Sequence, residues 1–166
     1  MTAVADHERG QGSTWGRTCR RHPSSSPPRS SDIHALDAAG LLDPAVTVFS
    51  CRAAGGGLLA VGALKRLDAR HAELKSMHTA EESRGRGIGR AMLAHLICVA
   101  RDRGYRRLSL KTGSQPAFAP ARSLYASAGF TPCGPFSSYR PSRSSTFMTQ
   151  SLDGPAACSM AGRSRR

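Results

Sequence analysis

The chain has 166 residues, 39% of them hydrophobic and 21% charged, enough for a single core but too short for two ordinary domains with linkers. No apolar run approaches the roughly 20 residues of a membrane-spanning helix, and the first thirty residues lack the apolar stretch of a secretory signal, so a cytoplasmic protein is expected. Lys and Arg number 24 against 11 Asp and Glu, a formal +13, and 21 of the 24 are Arg. Such a charge fits polyanionic partners, and a basic nucleic-acid-binding protein is one alternative function. A solvated, Arg-biased surface accounts for it better, because there is no zinc-finger spacing, no aromatic RNA-binding run, and nine aromatic residues in all for stacking on bases. Cys19, Cys51, Cys98, Cys133 and Cys158 include no C-x-x-C pair, so they read as ordinary thiols, and no metal is expected.

Residues 1–30 are rich in Ser, Pro, Arg and Gly and predict a disordered or atypical leader with no packed element. Helical spacing of Ile33, Leu36, Ala39 and Leu41 predicts a short helix ending near Gly40 and Pro44. Residues 46–51 and 58–67 read as two strands joined across Gly55, Gly56 and Gly57, with a third strand over 74–79 after a turn at 68–71. The period then changes. Ile88, Met92, Leu96, Val99 and Ala100 predict an amphipathic helix over 89–103, closed by Gly104. A strand over 105–111, a short helix from Pro120 to its closure at Gly129, and strands over 130–136 and 146–152 complete the domain, residues 31–152. Residues 153–166 read as a disordered basic tail. This order implies an α/β fold with a mixed sheet: an antiparallel meander, then strand, helix, strand with a parallel pair.

Between the third strand and the long helix stand Arg84, Gly85, Arg86, Gly87, Ile88 and Gly89, followed by Arg90. Glycines let main-chain N–H groups turn inward without Cβ obstruction. The first helical turn adds unpaired donors and a positive dipole end, so the segment suits a pyrophosphate, and the arginines add charge-assisted contacts. Two nucleotide motifs fail on spacing: a dinucleotide fingerprint from Gly85 needs glycine where Arg90 stands, and no Gly-Lys pair exists for a Walker A loop. A simple tight turn needs one such glycine rather than three.

These residues resemble the GNAT superfamily of acyl-CoA-dependent N-acetyltransferases, notably its small bacterial stand-alone members. Arg84, Gly87 and Gly89 match its R/Q-x-x-G-x-G/A loop, and Leu124, Tyr125, Gly129 and Phe130 match its L-Y-x-x-x-G-F helix end. The resemblance implies acetyl-CoA as co-substrate and a small-molecule or peptide amine as acceptor, acetylated by direct attack. It places the pantetheine arm along Met77, His78 and Thr79, the pyrophosphate on the main chain of residues 84–90, and the thioester at the splay beside the 105–111 strand. Glu73, eleven residues before Arg84, is implied as general base, with a structural glutamate as the other reading and His78 as an alternate base. Tyr125 is implied as the acid that protonates the thiolate, against a role in aromatic packing.

Two departures stand out. Where many relatives have an asparagine that contacts the cofactor, seven residues before the tyrosine, this chain has Phe118. The family's N-terminal strand and helix have no legible counterpart in residues 1–30, which would leave an exposed sheet edge suited to self-association as a homodimer. A relative that binds CoA without turnover is therefore a further alternative.

Overall fold

The computed structural model describes residues 43–153 and the backbone of Cys19–Arg20. Seven strands form one mixed sheet: β1 (Cys19–Arg20), β2 (Val46–Arg52), β3 (Leu58–Arg66), β4 (His71–Thr79), β5 (Arg107–Gly113), β6 (Thr131–Cys133) and β7 (Ser145–Ser151). Their spatial order is β1-β2-β3-β4-β5-β7-β6. Every neighbouring pair is antiparallel except β4 and β5, which run parallel around helix α1 (Ile88–Asp102). Helix α2 (Ala119–Ser127) follows β5, after a short 3-10 turn at Pro116–Phe118.

The α/β meander and strand-helix-strand order expected from periodicity are present, with bounds that move by one to three residues. Strand β4 begins at His71 rather than Leu74, because Asp68 closes the preceding turn by accepting the main-chain N–H groups of Arg70 and His71. The last two strands are shorter than or offset from 130–136 and 146–152. Strand β1 lies within the segment expected to hold no packed element: Cys19 pairs with Cys51 and Arg20 with Ser50. Two residues of edge pairing leave no periodic signal to read. The predicted helix over 33–41 lies outside the described residues, as does the tail beyond Asp153. Cys98 carries a disulfide, which corrects the reading of five ordinary thiols, whereas Cys51 and Cys133 are free. Spacing along the chain reveals metal motifs but not which distant cysteines meet in space.

Helix α1 buries Ile88, Met92, Leu93, Leu96, Ile97 and Ala100. These pack with Leu64 of β3, Ala72 and Leu74 of β4, and Leu108 and Leu110 of β5. Tyr125 and Phe130 belong to the same cluster, so α2 covers the same face of the sheet. The opposite face of β4 and β5 carries His71, Glu73, Lys75 and Ser109, and the segment linking β6 to β7 lies over it through Phe136 and Tyr139.

Candidate active site

Strands β4 and β5 are paired only from His71↔Arg107 to Leu74↔Leu110. Beyond that point β4 continues against β3, and β5 continues against β7 as far as Gly113↔Ser145. The two parallel strands therefore part company five residues before β4 ends at Thr79, giving the splay expected between them.

A bulge sets what β4 presents there. Val61 pairs with His78 and Ala63 with Lys75, so Gly62 alone opposes Ser76 and Met77, and Ser76 takes the left-handed φ of 52°. An extra residue inverts the alternation of side chains. Ala72 and Leu74 face the helices, Glu73 and Lys75 the other side; past the bulge Met77 packs on the helical core and Thr79 lies beside Gly89 of α1. Gly62 accommodates this crowding, since a Cβ there would meet Leu96 Cδ1 at 2.6 Å. His78 is exposed.

The loop after β4 starts with a 3-10 turn at Glu81–Ser83 and enters α1 through two glycines in left-handed conformation, Gly85 (φ 72°) and Gly87 (φ 80°). Gly87 is the N-cap. Arg84 Nε donates to the Thr79 carbonyl at 3.3 Å, tying the loop to the strand end. The main-chain N–H groups of Gly85 through Arg90 donate to no main-chain carbonyl of the described residues; bonding resumes with Ala91 on Gly87. The side chains of Arg84, Arg86 and Arg90 are exposed. Ser83 is buried with its Oγ unpartnered. Free donors, a bare glycine cradle and three guanidinium groups at the start of a 15-residue helix fit the diphosphate of a CoA carrier.

Helix α2 comes close to this loop, since Leu124 is the next neighbour that a Cβ on Gly89 would touch. Tyr125 is buried in edge-on contact with Phe130 at 6.0 Å. Burial pushes its hydroxyl up to about 12, so it keeps its proton at neutral pH. Phe118, at the position of the family asparagine, stacks against the end of β5, where a Cβ on Gly113 would lie 2.3 Å from its ring.

Glu73 is almost wholly buried, with 3% of its surface exposed, on the face opposite Tyr125. Tyr139 donates to its Oε1 at 2.7 Å, and Lys75 Nζ reaches the same oxygen at 3.3 Å while donating to the Tyr139 hydroxyl at 2.8 Å. Burial pulls the Lys75 ammonium down, but Tyr139 and Glu73 outweigh it and hold it above its ordinary value. Burial raises Tyr139, with Glu73 acting in the same direction and Lys75 against it. Sequence reasoning placed Glu73 but missed Tyr139 and Lys75. Tyr139 lies 66 residues downstream in an aperiodic segment, and an alternating Glu-x-Lys pair is commonplace on strands.

The predicted residues fall on separate elements: Met77, His78 and Thr79 at the end of β4, the loop from Arg84 to Arg90 after it, Tyr125 buried on the helical side, and Glu73 buried on the other face where β4 and β5 are still paired. A separate cavity of about 860 Å³ opens near the other end of β4 and β5, among Arg70, His71, Arg107 and Gln150. No predicted site residue lines it. Among the described residues there is no group of side chains able to hold a metal ion, and no helix is long and apolar enough to cross a membrane.

The class of protein this fold and loop define is an acyltransferase of the mixed-sheet kind. The chain belongs to the acetyltransferase (GNAT) family, whose model matches residues 14–130. It is 47% identical over 127 residues to YsnE of Bacillus subtilis (strain 168), named as an uncharacterized N-acetyltransferase, covering 76% of this chain and 82% of that one. A structure from Klebsiella pneumoniae subsp. pneumoniae MGH 78578, provisionally assigned as an acyl-CoA N-acyltransferase, is similar at 28% identity and a TM-score of 0.62, covering 69% and 81%. A GNAT family acetyltransferase from Elizabethkingia anophelis with acetyl-CoA bound shares the fold at 20% identity and a TM-score of 0.58, covering 81% and 97%.

Proposed function

We propose that this protein transfers an acetyl group from acetyl-CoA to a primary amine of a small molecule or peptide, by direct attack and in the cytoplasm. The observation that carries the reading is the row of unbonded N–H groups from Gly85 to Arg90 beside the opening between β4 and β5. Residues 84–90 would hold the diphosphate and the edge of Met77, His78 and Thr79 the amide-bearing arm, for which main-chain pairing suffices. When bound, acetyl-CoA supplies the activated acetyl group as a thioester.

Glu73 accepts the proton that the attacking nitrogen must lose, and Tyr125 donates a proton to the departing sulfur as the carbon–sulfur bond breaks. Like any tyrosine, Tyr125 carries that proton at neutral pH. The test is incubation with acetyl-CoA and an amine panel, following thiol release and the acetylated product, with Gly87→Glu as control. Product from the wild type and none from the variant supports the reading. Equal behaviour of the two sinks it, and thermal stabilisation by CoA without any product selects a CoA-binding relative that does not turn over.

A further inference from the structure

The chain has three lysines against 21 arginines, and two of them flank the opening between β4 and β5. Lys75 and Lys111 are the first residues after the last parallel pair, Leu74↔Leu110, one on each strand. Both lie on the face that carries Glu73, and Tyr139 sits between them, with Lys75 Nζ 5.5 Å and Lys111 Nζ 4.8 Å from its ring centroid. Their situations differ. Lys75 is committed to Glu73 and to the Tyr139 hydroxyl, whereas half-buried Lys111 rests on the ring face and makes no ion pair among the described residues.

Here one carboxylate faces two ammonium groups. The overlying segment, residues 134–144, adds Arg140 and Arg143 and contains no Asp or Glu. A plain amine arriving as a cation would meet net positive charge, while an amine with its own negative group would bring the missing counter-charge. We infer that Lys111 selects acceptors whose amine is accompanied by an anionic group, a carboxylate or a phosphate, held by its ammonium while Glu73 faces the nitrogen. This rests on the transferase reading above and names its acceptor class. A lysine suits the role, since its compact ammonium can swing from the ring to the ligand on a flexible stem.

The test compares acetyl transfer to β-alanine, 2-aminoethyl phosphate, β-alaninamide and ethanolamine by wild type, Lys111→Gln and Lys111→Arg, with calorimetric binding of N-acetyl-β-alanine and its amide as a second readout. The wild type is expected to favour at least one of the amines that carry an anionic group over the two that carry none by about tenfold in kcat/KM, the scale of one charge-assisted contact. Lys111→Gln should erase that preference, mainly through KM, and Lys111→Arg should restore part of it. The two anionic amines separate carboxylate from phosphate recognition. Equal use of all four amines overturns the inference and leaves the transferase reading standing. Transfer to none, with N-acetyl-β-alanine still preferred over its amide by wild type and not by Lys111→Gln, supports the anion contact at Lys111 and rules out these four amines as acceptors, leaving transfer to another anionic amine. No preference in either readout overturns the inference.

Discussion

Tyr139 reaches across from the segment between β6 and β7 to donate its hydroxyl to Oε1 of Glu73 at 2.7 Å, so the carboxylate implied as base is aimed by a residue from the far end of the domain. Tyr139→Phe removes a donor from a buried charge and is expected to destabilise the fold by about 1–3 kcal/mol. If Glu73 is the base, kcat should fall while the KM for acetyl-CoA holds. Urea melts and steady-state kinetics on the same preparations separate the two effects.

Glu73→Gln keeps the shape and both neighbours but cannot take a proton. The expected outcome is a fall in kcat of about 100-fold or more, with CoA binding by calorimetry unchanged. A variant that turns over as fast as wild type would return Glu73 to a structural role holding Lys75 and Tyr139.

Tyr125 offers a dependence on pH whose sign is fixed by burial. Its hydroxyl is raised to about 12 in the fold, above the value near 10 of an unfolded chain. The folded state therefore holds its proton more tightly, and the associated stability is present below pH 10 and lost as pH rises from 10 to 12. That loss approaches about 2–3 kcal/mol at the upper end. Melting curves of wild type should thus fall more steeply across this window than those of Tyr125→Phe. The same variant should lower kcat if the hydroxyl protonates the leaving sulfur.

At Gly87 the left-handed φ of 80° lies in open space, so Gly87→Ala adds backbone strain without a clash. The expected cost is about 1–2 kcal/mol, shared between a lower melting temperature and weaker CoA binding. Calorimetry with CoA is the direct check. Undiminished affinity would mean that the loop's amides do not hold the ligand.

At Gly113 the obstacle is steric. A methyl group would lie 2.3 Å from the ring of Phe118, so Gly113→Ala should destabilise by about 1–3 kcal/mol. Combining it with Phe118→Ala should cost less than the two single changes added together, because the second removes what the first collides with. Urea denaturation of the four proteins completes the cycle.

Much of this architecture was legible before any coordinates. Ile88, Met92 and Leu96 keep a helical period, and Arg84, Gly87 and Gly89 punctuate the strand-to-helix turn, so local chemistry announces both. The bulge at Ser76 and Met77 was not legible, because it arises from register against Gly62 on another strand rather than from any turn residue. The same reason hid Tyr139 and Lys111: what matters about them is a neighbour contributed by distant sequence. In the sequence Phe118 shows only as a missing asparagine, although its ring fills the space that Gly113 leaves.

Past Leu74 and Leu110 each parting strand keeps one outer neighbour and turns a row of main-chain groups toward the other across the widening gap. Such rims usually lie at the perimeter of a sheet, where a foreign strand can add on and seed fibres. Here the rim lies inside the sheet, with α1 on one side and Tyr139 on the other. A strand from another chain cannot lie along a rim enclosed in this way without displacing one of those covers.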